Sequence, residues 1–363
     1  MRDGDVRWAV ARDPRVDLIF SHFMPRYTAT GVDPNDLKRL MTRIDQWSDW
    51  CRIWSEEAKR HEDHAAESAA RGRRTTAAES YVRAAIYYHY GKHLFAEPPE
   101  EFRRAHDNML RCYSLAAPDL DPPLQRLVIP FSGAEMFAWL RVPKDASRPP
   151  VAIVLPGLDA CKEELHAWSD AFLRRGVATL TLDGPGQGES SFRLPISMNW
   201  GAAIAAVIDS LESREDVDGK RVGVVGQSLG AFYAPLAAAG EPRLKACIAN
   251  CGPFDFAPVI AQMPEASQQV FRARAHAKTQ AEAQAVAKTL TLEGKAQNIR
   301  CPLLIVFGGA DRLVPPSEGE RLAKAVSGPV EFVNYPDGNH VCFNISYKFR
   351  PLTADWMAER LAA

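Results

Sequence analysis

The sequence has no long apolar run. Its longest, Ala202 to Ile208, falls far short of the roughly 20 residues that a membrane-spanning helix needs, so no membrane-embedded protein is expected. It also has no excess of charge of one sign. Lys plus Arg number 44 against 45 for Asp plus Glu, which favours neither nucleic acid nor an anionic membrane as partner and leaves a small-molecule substrate as the better expectation. Cysteine is sparse and shows no pairing pattern. The seven residues (Cys51, Cys112, Cys161, Cys247, Cys251, Cys301, Cys342) are odd in number and mostly sit in apolar stretches, which predicts reduced, buried thiols and a cytoplasmic protein. No export signal is expected, since Arg2, Asp3, Asp5 and Arg7 interrupt the place where its apolar core would lie. Internal repeats and low-complexity segments are absent. With 46% hydrophobic and 25% charged residues, a disordered or fibrous class is excluded.

What is present divides into two parts. The 363 residues suit a catalytic domain plus a smaller one. A turn-rich segment, APDLDPP at 117–123, separates a first third without strand signals from a region where strands and helices alternate. The expected boundaries are 1–123 for an all-helical cap or lid domain and 124–363 for an α/β catalytic domain. Asp33 followed by Pro34 predicts a helix start, and Leu37, Leu40, Met41, Ile44, Trp47, Cys51 and Trp54 continue at helical spacing as one helix of five turns. A second helix is expected from Thr76, with a capping box to Glu79, and a third from Pro99 to about Leu115. After the boundary, LQRLVIPF and AEMFAWLRV read as a hairpin. Six further apolar segments follow, at 150–156, 177–182, 221–226, 244–250, 302–307 and 329–335. Helices separate most of them, which predicts an eight-stranded, mostly parallel sheet covered on both faces. The helix-rich segment 252–298 is a candidate addition to the cap.

The chemistry-bearing residues lie at strand ends. Gly226-Gln227-Ser228-Leu229-Gly230 follows a β-branched strand and precedes an Ala-rich helix, the context in which a G-x-S-x-G turn presents a serine nucleophile. Without that context the motif would be weak, and Ser228 would be only a small residue in a tight turn. A serine hydroxyl needs a base. Asp311, in GGADRLVPP, and His340, in YPDGNHVCF, each follow their own strand in the order serine, acid, histidine. Asp337 is the competing acid, but it precedes His340 too closely to brace it. Backbone N–H groups of Leu229 and Leu158 are the expected oxyanion donors. Trp54, Tyr87, Tyr88, His89 and Gln227 are candidate substrate contacts, although the tryptophan stripe is more often helix core. Asp183, in LDGPGQGES, reads as a turn anchor. The pairs His61 with His64 and His89 with His93 have metal-ligand spacing, but no third ligand is evident. No metal and no cofactor are expected.

The segments Gly157-Leu158-Asp159, Lys162-Glu163-Glu164, LDGPGQGES, GQSLGA and GGADRLVPP resemble one branch of the α/β-hydrolase superfamily. That branch includes 2,6-dihydropseudooxynicotine hydrolase and the fermentation-respiration switch protein. The resemblance implies an α/β-hydrolase fold under a helical N-terminal domain, the triad Ser228, Asp311 and His340, and a homodimer. It further implies hydrolysis of a carbon–carbon bond beside a ketone, in a 1,3-dicarbonyl or acyl-aromatic compound. Ester or amide hydrolysis by the same triad is the alternative. A non-catalytic regulatory or binding protein on a hydrolase scaffold is the reading from another class.

Overall fold

A computed structural model describes residues 11–95 and 99–362, so Arg2, Asp3, Asp5 and Arg7, which argued against an export signal, lie outside the described residues. Five helices come first: α1 (Pro14–Ala29), α2 (Pro34–Arg43), α3 (Trp50–Ala70), α4 (Arg74–Lys92) and α5 (Pro99–Ala116). The expectations here need three corrections. Helix α1 was not foreseen, although Asp13 caps it, with Pro14 next in line, by the same chemistry that starts α2. The helix drawn through Leu37 to Trp54 is two helices. Ile44 turns to an extended backbone with ψ 104°, and the carbonyl of Asp45 accepts from Asp13 N at 2.8 Å, so it is turned away from a continuous helix. Finally, α4 opens at Arg74 without a side-chain cap, because Gly72 at φ +73° reverses the chain so tightly that α3 and α4 nearly abut.

The sheet begins with β1 (Leu124–Phe131) and β2 (Ala134–Arg141), then β3 (Val151–Leu155), α6 (His166–Leu173), β4 (Ala178–Asp183), α7 (Trp200–Glu212) and β5 (Val222–Gln227). It continues through α8 (Gly230–Gly240), β6 (Ala246–Asn250), α9 (Phe256–Gln262), α10 (Glu265–Arg274), α11 (Gln280–Thr289), β7 (Leu303–Gly308), α12 (Pro316–Ala325), β8 (Val330–Tyr335) and α13 (Ser346–Ala362). The eight strands lie in the order β1-β2-β4-β3-β5-β6-β7-β8. Strand β2 pairs antiparallel with β1 and β4, and every later pair is parallel. This is the α/β-hydrolase fold. Strands β3 to β7 are buried along their whole length, which is why they read as continuous apolar runs rather than alternating ones. Parallel strands end on one edge of the sheet, so β5, β7 and β8 deliver their following loops to the same side.

The helical region packs on its own aromatic core of Phe20, Tyr27, Trp50, Trp54 and Tyr90. No helix among the described residues is long and apolar enough to cross a membrane. Six of the seven cysteines are buried and all are free thiols; Cys301 alone is partly exposed. Burial pushes the Cys301 thiol up to about 11, so even this one is a poor thiolate at neutral pH. The native protein is expected to react slowly with Ellman's reagent at no more than one equivalent, whereas the denatured chain reacts at all seven. Two or more fast equivalents would contradict this packing.

Candidate active site

Strand β5 runs straight into α8, and the one residue at the corner is Ser228, held at φ +54°. Side chains other than glycine rarely occupy that left-handed region, so the neighbours must over-determine it. They do so by close approach. A Cβ on Gly226 would lie 2.0 Å from the carbonyl oxygen of Gly230, and one on Gly230 would lie 2.4 Å from that of Leu155. The backbone N–H of Ser228 donates to Asn250 at the end of β6, at 2.9 Å. The hydroxyl therefore stands on a fixed corner.

His340 follows β8 and reaches Ser228 with Nε2 2.9 Å from Oγ. Its Nδ1 lies 2.7 Å from Oδ2 of Asp311, which follows β7. The other oxygen of Asp311 accepts from the backbone N–H groups of Leu313 and Val314, at 2.8 and 3.0 Å. Burial pushes this carboxyl up, but His340 and the two N–H groups outweigh it and hold the group below its ordinary value. Asp337 takes no part in this chain of hydrogen bonds; its backbone carbonyl accepts from Asn344 instead, at 2.7 Å. Asp311 is thus ionised and immobile, with His340 between it and the serine. Such an arrangement can move a proton from a hydroxyl to an imidazole and stabilise the resulting cation.

A cleft of about 630 Å³, including its mouth, opens over Ser228 and His340. Gly157, Leu158, Asp159, Ala160 and Gln227 line it on the sheet side. Leu229 sits at the N-terminal end of α8, where backbone N–H groups are free to face an anion. The helical region contributes His22, Phe23 and Arg26, all from α1, and the segment after β6 contributes Met263 and Ser267. Trp54, Tyr87, Tyr88 and His89 do not line the cleft. Trp54 is fully buried in the aromatic core, Tyr87 donates to Asp36 at 2.5 Å, Tyr88 to Glu62 at 3.0 Å, and His89 meets Glu164 at 2.7 Å. His22, which nothing in the sequence singles out, is the second histidine lining the cleft. Burial pushes its imidazole below the ordinary value, and His340 adds to that.

The loop carrying Leu158 is tied to α1. Arg26 donates to both oxygens of Glu164, at 2.7 Å each, and to Asp159 at 2.9 Å. Asp183 anchors the neighbouring turn by accepting from Lys162 Nζ and from the backbone N–H groups of Lys162 and Glu189, all within 2.9 Å. Around His61 the fold brings two carboxylates that sequence spacing did not reveal: Asp36 and Glu57 lie with it within 4.8 Å. Arg39 already pairs with both and Tyr87 with Asp36.

A family profile described as Esterase FrsA-like matches residues 28–360. The chain belongs to the FrsA-like esterase family. Within the curated proteins, this FrsA-like chain is 32% identical over 342 residues to 2,6-dihydropseudooxynicotine hydrolase of Paenarthrobacter nicotinovorans, covering 93% of this chain and 91% of the relative. It also matches the hydrolyase poxO of Penicillium oxalicum at 32% identity over 219 residues, but spans only 52% of that protein's length. Among solved structures, the 2,6-dihydroxy-pseudo-oxynicotine hydrolase superposes with a TM-score of 0.86 at 30% identity, over 93% of this chain and 95% of that one. The relatives of this family member are hydrolases, which supports an enzyme.

Proposed function

We propose that the protein is a serine hydrolase that works through an acyl-enzyme on a small carbonyl compound. The observation that carries this reading is the unbroken run Asp311–His340–Ser228, with contacts of 2.7 and 2.9 Å. His340 takes the proton of Ser228 as Oγ attacks the carbonyl carbon, and Asp311 holds the imidazole in the required tautomer. The N–H groups of Leu158 and Leu229 receive the oxyanion. The tetrahedral adduct collapses by expelling its leaving group, which takes the proton from His340. Water, deprotonated by the same imidazole, then releases the acid. Every step is completed by protein groups and water, so no cofactor enters the proposal.

The favoured bond is a carbon–carbon bond beside a ketone, as in a 1,3-dicarbonyl or acyl-aromatic compound. Similarity along almost the whole chain to 2,6-dihydropseudooxynicotine hydrolase supports this. In a 1,3-dicarbonyl, expulsion of carbon is tolerable because the second carbonyl spreads the charge as an enolate; in an acyl-aromatic compound the ring must carry it, and in both His340 protonates the leaving carbon. The family description favours a second reading, ester hydrolysis, in which the leaving alkoxide needs only His340. Steady-state rates on aromatic 1,3-diketones and matched aryl esters discriminate: turnover of esters with inert diketones overturns the carbon–carbon reading.

The role of Asp311 gives a separate expectation. Asp311→Asn leaves the geometry but supports the wrong tautomer of His340, and kcat is expected to fall by about 10⁴. Labelling of Ser228 by a fluorophosphonate slows in parallel. A drop of less than tenfold would remove Asp311 from the reaction.

A further inference from the structure

Behind the loop that forms one wall of the cleft, the seam between helical region and sheet gathers basic side chains that have no acid of their own. Lys92, at the end of α4, is 1% exposed, and its Nζ has no hydrogen-bond partner among the described residues. His106 of α5 is 2% exposed, and neither ring nitrogen has a partner there. Arg274, the last residue of α10, is also buried and donates to the carbonyl of Gly188 at 2.9 Å and to Ser191. All three surround one ring. Lys92 Nζ lies 5.3 Å and the Arg274 guanidinium 5.9 Å from the centre of Phe102, on which His106 stacks at 6.3 Å. Two more buried donors without partners, Tyr233 OH and Trp200 Nε1, stack on each other at 4.3 Å. Tyr233 belongs to the first turn after Ser228, where its N–H donates to Leu229 at 3.1 Å.

The neighbouring carboxylates pair with other cations, and only Oε2 of Glu163 is left without a hydrogen-bond partner among them. Glu163 and Asp183 pair with Lys162, and Asp159 and Glu164 pair with Arg26. Buried donors are rarely left without acceptors in folded proteins, and a row of them recognises an oxygen-rich anion. Two chain segments lead from the cleft toward this row. Ser267 lines the cleft and stands seven residues before Arg274 on α10, two helical turns or about 10 Å along one face. The loop wall ends at Ala160, and the next residue, Cys161, packs on Met109 beside this cluster at 3.6 Å.

We propose that Lys92, His106 and Arg274 form a buried subsite for a carboxylate at the far end of the substrate, with Phe102 as its floor. The enzyme then acts on carbonyl compounds that carry an acid group beyond the bond attacked. This rests on the reading of Ser228 as nucleophile, and the test separates the two. Initial rates on mono-4-nitrophenyl esters of five- to eight-carbon α,ω-diacids are compared with those on esters of the matching monoacids. The free diacids are titrated calorimetrically into the wild-type protein.

At one or more chain lengths the acid-bearing ester is preferred at least about tenfold in kcat/KM, the size expected of a hydrogen-bonded charge, and the diacid of that length binds. Lys92→Met lowers both the preference and the diacid affinity about tenfold, whereas Lys92→Arg retains most of each. His106→Gln serves as the second variant where Lys92→Met does not fold. Turnover of neutral esters with no preference at any length and no diacid binding overturns the subsite and leaves Ser228 in place. Lys92-dependent diacid binding with no turnover of any ester or 1,3-diketone and no fluorophosphonate label on Ser228 keeps the subsite and rejects the Ser228 reading. Binding that neither Lys92→Met nor His106→Gln weakens overturns the proposal, because the anion then sits elsewhere.

Discussion

Ser228→Ala is expected to lower turnover by about a million-fold, because serine, base and acid act as a unit and removing the nucleophile alone costs nearly as much as removing all three. The variant should otherwise resemble the parent. Alanine meets the same left-handed strain at φ +54° that serine already bears, and the corner is fixed by backbone contacts at Gly226 and Gly230 that the hydroxyl does not make. His340 keeps its hydrogen bond to Asp311 at 2.7 Å. The melting temperature should therefore move by only a few degrees, as for a change worth about 1 kcal/mol or less. Two measurements check the expectation: steady-state turnover of whichever carbonyl substrate the wild type accepts, and covalent labelling by a fluorophosphonate followed by peptide mapping. Residual activity above about 1% of wild type, or labelling at another serine, would remove Ser228 from the chemistry. Loss of activity together with a collapse in melting temperature would instead assign the residue a structural role.

The parts of this molecule that sequence made legible are those specified by local rules. Strand, sharp turn and helix around Ser228 follow from β-branched residues, paired glycines and an Ala-rich run. Asp311 and His340 were found because parallel strands end on a common edge, so that position in the chain implies position in space. The cleft walls obey no such rule. His22, Phe23 and Arg26 come from α1, whose internal Pro25 interrupts the expected helical signal, and their approach to Ser228 depends on how one layer settles on another. Tyr87, Tyr88 and His89 attracted notice as polar aromatics on a helix, yet each is taken up by an acid: Asp36, Glu62 and Glu164. Pairings separated by 26 to 75 residues leave no periodic trace. The break between α2 and α3 is similar, since it depends on Asp13 reaching the carbonyl of Asp45.

Arg26→Met should produce the largest loss of stability. The guanidinium is buried and bridges Glu164 and Asp159 with bonds of 2.7 to 2.9 Å, and removing one partner of a buried ion pair costs about 3–5 kcal/mol because the other charge is stranded. The pH dependence identifies the cause. Burial pushes both carboxyls up, but Arg26 outweighs it and holds both below their ordinary values; His89 assists at Glu164 and His93 at Asp159. Their contribution is thus complete above the unfolded-state range near pH 4 and is lost as pH falls through the depressed folded values. Without Arg26 the burial effect prevails, the folded carboxyls rise above their unfolded values, and acidification toward pH 5 stabilises the variant. The difference between wild type and Arg26→Met in urea unfolding should accordingly be largest near pH 7.5 and shrink by pH 5. A difference below about 1 kcal/mol, or one independent of pH, would show that the pair is not what holds this seam. Because Asp159 adjoins Leu158, the proposed oxyanion donor, the same variant should lose activity where it remains folded. An oxyanion donor displaced from its place costs about 10²–10³ in kcat, and that loss should appear in kcat more than in KM, which a simple loss of folded protein could not produce after correction for active-site concentration.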